Sequence, residues 1–387
     1  MTGRAVRLLV ASALGFTCAT VVSATAASLQ PANSATLRPA SRVAPPARTF
    51  SLLATGDVLT ESAVIDAAAA LAPGTGVRYE FAPLLASITP MIAAADIAIC
   101  HMETPIGVPG ERAGIYGNSP FGGHRLLAPY EITAALERIG FDRCSTASNH
   151  SNDLDESGID TTLAALDAAG LSHVGTARSP EEANTTLITV NGVRLAHLSY
   201  TRFSNSVLPT DPWRLNFAAS ARQVATAVDA ARAAGAEVVV VSVHIHQELL
   251  PAPLPDDRQF ITDLTALTHI DLIVEHGPHV IQPIEKVNGT WVYWSVGNFM
   301  SGMGTPGRGV YADARTLDEL AATARFTETA PGVFTVEPWP VLLCNDPFTR
   351  AVYAPIASTP SAALPPVVVA GLRACIDRSI AAVPGLH

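Results

Sequence analysis

Apolar and polar positions along this chain fall into two rhythms, short strand-like runs and longer helical stripes. Phe50-Ser51-Leu52-Leu53-Ala54 reads as a strand that stops at Thr55-Gly56-Asp57. A helix is expected over 83–95, with Pro83 acceptable in its first turn. Ile97-Ala98-Ile99-Cys100 is a second short strand, ending at His101-Met102-Glu103. Residues 131–139 read as a helix, 141–146 as a third strand, and 159–169 as a helix stopped by Gly170, with Val174-Gly175 starting another strand end. Alternation over 188–199 around Asn191-Gly192 predicts a β-hairpin. An Ala-rich helix over 218–234 closes at Gly235, and the continuous β-branched run over 237–243 predicts a strand buried on both faces. A helix over 256–267, a strand over 270–274 and a hairpin of 284–287 with 291–295 around Asn288-Gly289 complete the series. Strands alternating with helices, then a hairpin, predict a layered α/β sandwich.

The two ends follow neither rhythm. Arg4 and Arg7, the apolar stretch 8–22 and Ala24-Thr25-Ala26 make residues 1–26 an expected export signal. The alternative is an uncleaved anchor, the chain's one route to a membrane, although Ser12, Gly15, Thr17 and Thr20 interrupt that short stretch. Residues 27–48 form an Ala/Ser/Pro-rich linker, 49–344 the main domain, and 345–387 a C-terminal extension packed on it. Within the extension, the apolar stretch 367–380 is expected to be a helix closing over the sheet edge.

Composition narrows the class. Over 387 residues, 48% hydrophobic and 15% charged content describe a globular protein. A formal charge of −10 repels nucleic acid and anionic lipid, which removes both from the expected partners. An anionic substrate stays open, because a bound metal can reverse the local field. Beyond the signal lie Cys100, Cys144, Cys344 and Cys375, an even set that permits disulfides in an exported protein. Cys344 and Cys375 are the natural pair; Cys100 and Cys144 either pair across neighbouring strands or remain buried thiols.

Candidate chemistry recurs at one structural position, the C-terminal end of a predicted strand. Asp57, Glu103, Asn149 with His150, His244, His276 and His279 all sit there. In parallel α/β sheets these ends share one face, where ligands bind. Imidazole, carboxylate and carboxamide donors suit one or two divalent ions such as Mn, Fe or Zn, so the chain reads as a metal-dependent hydrolase. His246 is a candidate substrate-facing residue, whereas His124, His173, His197 and His269 lack comparable context and read as structural.

Several segments then match a known order: Ala54-Thr55-Gly56-Asp57-Val58, Glu103-Thr104-Pro105, Ala147-Ser148-Asn149-His150-Ser151-Asn152-Asp153, Val240-Val241-Ser242-Val243-His244 with Glu248 and Pro253, His276-Gly277-Pro278-His279-Val280-Ile281-Gln282-Pro283, and Ser295-Val296-Gly297-Asn298-Phe299. Over about residues 50–300 the chain resembles the CapA family of bacterial poly-γ-glutamate capsule proteins, whose fold looks like that of calcineurin-type metallophosphatases. The resemblance implies Asp57, Glu103, Asn149, His244, His276 and His279 as metal ligands, and His150, oriented by Asp153, as a general acid. Departures stand at Glu275 and Gly277, where relatives usually carry Gly and His, at His244-Ile245-His246 for His-Trp-Gly, at His101-Met102-Glu103, at Ser148, and at Leu59 in place of the His of Asp-x-His. The resemblance implies an exported, cell-envelope hydrolase acting on an anionic polymer or phosphoester. The alternative is a non-catalytic accessory protein that serves a membrane poly-γ-glutamate synthase.

Overall fold

Two β-sheets face one another in the computed structural model, and alternate residues of their strands fill the space between. The structure describes residues 47–355 and 364–383, except 185, 246, 308 and the side chain of 310. The expected export signal and nearly all of the linker lie outside the described residues, as does His246.

The chain opens with β1 (Thr49–Leu59), α1 (Ser62–Leu71), α2 (Ala82–Leu85), α3 (Thr89–Ile92) and β2 (Ile97–Met102). A hairpin of β3 (Gly114–Asn118) and β4 (His124–Leu127) leads to α4 (Ile132–Ile139), β5 (Arg143–Ser145), α5 (Asp155–Ala168) and β6 (Ser172–Val174). The second half holds β7 (Leu187–Val190), β8 (Val193–Thr201), α6 (Ala221–Ala233), β9 (Val238–His244), α7 (Pro255–Leu267) and β10 (Leu272–His276). It closes with β11 (Ile284–Val287), β12 (Thr290–Tyr293), β13 (Met300–Ser301), β14 (Asp318–Ala330), β15 (Val333–Pro338), β16 (Val341–Asn345), β17 (Val352–Tyr353) and α8 (Pro366–Ala382).

One sheet runs β17-β16-β14-β1-β2-β5-β6, with β13 on β1 and β15 on β14; the other runs β11-β12-β10-β9-β8-β7. The pairs β1–β2, β2–β5 and β5–β6 are parallel, as are β8–β9, β9–β10 and β10–β12. Strand parity then sorts side chains into layers. Ile97, Ile99, Val238, Val240, Leu272 and Val274 fill the space between the sheets. Ala98, Cys100 and Cys144 face α1–α5, while Val239, Val241, Val243 and Ile273 face α6 and α7. The layers run helix, sheet, sheet, helix, the α/β sandwich expected from the alternation.

Some elements differ from expectation. The helix expected over 83–95 is two short helices, because Pro90 lacks an N–H and instead starts α3. Helix α1, the β3–β4 hairpin and the long antiparallel β14 with its neighbours carry no clear period in sequence. Both disulfides are formed, Cys100–Cys144 across β2 and β5 and Cys344–Cys375 from β16 to α8. Helix α8 packs on β14 and β16, burying Val368 and Leu372.

Candidate metal centre

The parity that builds the core also aims the polar strand ends inward. On β2, His101 continues the face of Ile97 and Ile99; on β9, His244 continues that of Val238 and Val240; on β10, His276 continues that of Leu272 and Val274. Asp57 arrives by another route. Regular alternation from Ala54 would aim residue 56 inward, but the register shifts between Ala54 and Asp57, and this irregularity turns Asp57 to the interior instead. Gly56 permits it, since a Cβ there would lie 2.0 Å from the Gly297 carbonyl oxygen. Asp57 N–H then donates to that oxygen at 3.1 Å.

Two three-residue sets of donor atoms result, Asp57 with His101 and His244, and Asp57 with Glu103 and His279, all buried. Asp57 Oδ1 lies 3.9 Å from His101 Nε2 and 3.5 Å from His276 Nδ1, and Asp57 Oδ2 lies 3.0 Å from His279 Nδ1. His101 Nε2 and His244 Nδ1 are 3.0 Å apart, joining the two sheets. The His276 ring stacks on His101 with centroids 4.0 Å apart. Glu103 Oε1 lies 4.0 Å from His279 Nε2.

Neighbours fix the orientation of these rings. His101 Nδ1 meets Ser145 Oγ at 2.8 Å, and Ser145 itself donates to the Cys100 carbonyl at 3.3 Å, so the proton sits on Nδ1 and the Nε2 lone pair faces Asp57. His279 Nδ1 donates to Asn298 Oδ1 at 2.9 Å, which directs Nε2 toward Glu103. The turn carrying His279 is strained: His279 has φ +59° and Gly277 φ +101°. Gly277 N–H donates to Asp57 Oδ2 at 3.3 Å.

Charge in this cluster is strongly perturbed. Burial pushes Glu103 up to about 8, helped by Asp57 and opposed by His279. Burial works against a charged His279, yet Glu103 and Asp57 push it up to about 10, while burial takes His244 down to about 3. Asp57 stays well below the carboxylate range despite burial, held there by His276 and His279.

Divalent ions fit this donor set. Asp57 Oδ1, both Glu103 oxygens, Asn149 Oδ1 and both His276 nitrogens are buried without a hydrogen-bond partner. Buried polar atoms without partners are costly, and a cation among them supplies the missing interaction. With no thiolate nearby, the nitrogen and oxygen donors suit Mn, Fe or Zn. The cluster of Asp167, His173 and Glu182 is different in kind, because Arg178 already pairs with Asp167 at 2.7 Å and with Glu182.

His150 stands at the edge of this centre. Its Nδ1 bonds Asp153 Oδ2 at 2.6 Å, and Asn205 Nδ2 donates to its Nε2 at 3.3 Å. Asp153 also accepts from Leu126 N–H at 2.8 Å. Burial disfavours a charged His150, but the bond and charge of Asp153, with Glu103, outweigh it and raise its pKa. His150 and His279 line a cleft of about 590 Å³, with Phe121 and Glu248 on its walls.

The structure therefore gathers Asp57, Glu103, His244 and His279 into the two sets, places His276 against them, and leaves the carboxamide oxygen of Asn149, the residue before His150, buried. Sequence reasoning missed His101 as a donor, and with it Ser145 and Asn298, which orient His101 and His279. Extending the β2 alternation by two residues would have found His101.

A family model described as bacterial capsule synthesis protein PGA_cap matches residues 51–303. The chain belongs to this family. It is 29% identical over 263 residues to the PGA biosynthesis protein CapA of Bacillus subtilis (strain 168), covering 65% of this chain and 63% of that protein. It is 27% identical over 233 residues to the capsule biosynthesis protein CapA of Bacillus anthracis, covering 59% of this chain and 56% of that one. The matches thus span less than two thirds of these relatives. Among solved structures, a 5'-nucleotidase precursor from Thermus thermophilus is similar at 12% identity with TM-score 0.42, over 86% of this chain and 59% of that one. The calcineurin-like phosphoesterase YfkN from Bacillus subtilis is similar at 13% identity with TM-score 0.45, over 87% of this chain and 99% of that one.

Proposed function

We propose that this PGA_cap family member is a metal-dependent hydrolase of the cell envelope, acting in poly-γ-glutamate capsule biosynthesis on a phosphoester or γ-glutamyl amide bond. The observation that carries the reading is the pair of buried donor sets sharing Asp57, the second of which reaches the cleft through His279 beside the Asp153-bonded His150. Asp57, His101 and His244 would hold one divalent ion, and Asp57, Glu103 and His279 the other, with His276 and Asn149 completing the surroundings. Ions held there supply Lewis acidity toward the scissile group and an acidified water.

The chain's own residues do the rest. Asp153 holds His150 with Nδ1 inward, so that a proton carried on Nε2 faces the cleft and is available to a leaving group. Asn205 Nδ2 donates to that nitrogen when it is unprotonated, so the contact suits the ring once its proton has left. Asn298 and Ser145 keep Nε2 of His279 and of His101 turned toward the carboxylates. Two disulfides fit an oxidising compartment, which supports export. Among the described residues no helix is long and apolar enough to cross a membrane.

The test is turnover of phosphoester and γ-glutamyl substrates by protein reloaded with Mn²⁺, Fe²⁺ or Zn²⁺. His150→Ala is expected to keep its metal and fold while losing roughly 10²-fold or more in rate. Oligo-γ-glutamate binding without any metal-dependent turnover would overturn the hydrolase reading and leave the accessory role.

A further inference from the structure

Beyond the metal cleft lies a second cavity of about 480 Å³, and the two share Ser62, Gly114 and Ile115 as lining residues. The two adjoin at these three residues, in a groove bounded by α1 and β3. One wall of the second cavity is a single face of α1, since Ser62, Ile65, Asp66 and Ala69 are spaced i, i+3, i+4 and i+7. The other wall is the segment from Arg112 to Tyr116, which enters β3.

The distribution of charge along this groove is uneven. Glu61 and Glu248 line the metal cleft, and among the described residues no Lys or Arg does. Among the described residues Arg112 is the Lys or Arg lining either cavity, and it shares the second with Asp66. Its guanidinium is exposed and makes no hydrogen bond or ion pair among the described residues, although its carbonyl accepts from the Tyr116 hydroxyl. Nearby Glu111 accepts from Val108 N–H at 3.0 Å.

We propose that the second cavity is a binding subsite for an extended acidic chain, in which Arg112 takes a carboxylate of the segment trailing from the metal cleft between α1 and β3. The proposal rests on the reading above that the metal cleft receives the reacting end. A guanidinium offers a carboxylate two parallel N–H donors, and the flat faces of Tyr79 and Tyr116 in the same cavity suit the amide and methylene parts of such a chain. Asp66 supplies an acceptor for an amide N–H. The groove favours length: a short ligand fills the metal cleft alone, whereas a longer one reaches Arg112.

The test compares binding of a fluorescent γ-linked glutamate dimer and octamer to the metal-loaded protein, wild type beside Arg112→Gln and Ala69→Trp. Ala69 is exposed on α1, so the indole fills the groove without entering the core. Metal content and melting temperature check that both variants are folded. The wild type is expected to bind the octamer more tightly than the dimer. Arg112→Gln should weaken the octamer by about three- to fivefold, as for an exposed ion pair, and leave the dimer unchanged. Ala69→Trp should remove the length preference. Equal affinity for both lengths in the wild type, or a preference that survives both substitutions, overturns the proposal. Length-dependent binding without cleavage would refute the hydrolase reading alone, and cleavage of the dimer with no length preference would refute the groove alone.

Discussion

His101→Ala separates the two candidate ion positions. The His101 ring is buried, stacked at 4.0 Å on His276, held by Ser145 at 2.8 Å and set 3.0 Å from His244. Its loss leaves only Asp57 and His244 of the first set, while Asp57, Glu103 and His279 remain complete. An ion present at 100 times its Kd stabilises the fold by about 2.7 kcal/mol. For a folded unit of about 300 residues, unfolding at about 2.1 cal/mol/K per residue makes this a Tm shift of about 4 °C. The packing lost with the ring is a separate cost, read from the two proteins in excess chelator. Metal per chain by mass spectrometry should fall from two equivalents to one, and the Tm drop on adding chelator should shrink by about 4 °C. A variant that keeps both ions and the full chelator-induced drop would refute the first donor set and reduce His101 to a support for His244.

Gly277→Ala places a Cβ 2.0 Å from the Ile245 carbonyl oxygen and 2.9 Å from His244 Nε2 at a φ of +101°. It should cost at least about 2 kcal/mol and reduce metal content; an unchanged denaturation midpoint and full metal would contradict this close approach. Replacing Cys344 and Cys375 together by Ser should cost about 2–4 kcal/mol and expose α8 to limited proteolysis while metal content stays the same. Proteolysis identical to wild type would show that packing alone holds α8. Glu319 is pushed up to about 8 by burial, against the Gly56 N–H bond at 2.7 Å and with help from Asp57. Its folded pKa lies above the unfolded value of about 4.3, so its contribution is fully present below that value and lost as pH rises through about 8. Glu319→Gln in chelator-treated protein should therefore flatten the fall of Tm over this range, and an unchanged slope would count against a buried, neutral Glu319.

Much of the frame was legible because its signals are local. The run ending at His244 and the alternation around Asn191-Gly192 each describe one strand or hairpin without reference to any other. The polar residues past Ala54, Cys100, Cys144, Val243 and Val274 stood out because a buried strand rarely ends in such groups without partners. His101 was passed over in favour of Glu103 because the strand reads as ending at Cys100, although β2 continues to Met102 and carries His101 on the face of Ile99. The β3–β4 hairpin was missed for a different reason. Its strands are short and largely exposed, with Gly114 and Gly117 in β3, so no apolar rhythm marks them. The strands after residue 318 belong to an antiparallel extension of the first sheet, whose place beside β1 depends on pairing across more than two hundred residues.

The sequence by itself determined the α/β alternation, the strand ends bearing Asp57, Glu103, Asn149, His244, His276 and His279, and the resemblance that names a family. Only the tertiary structure decided that Asp57 serves both donor sets. That depends on the register shift after Ala54, on Gly56 lying against Gly297, and on two sheets packing closely enough to bring His101 and His244 within 3.0 Å. Periodicity states which face of its own strand a side chain occupies. Distances between strands far apart in the chain are set by how their layers pack, and no local pattern carries that information.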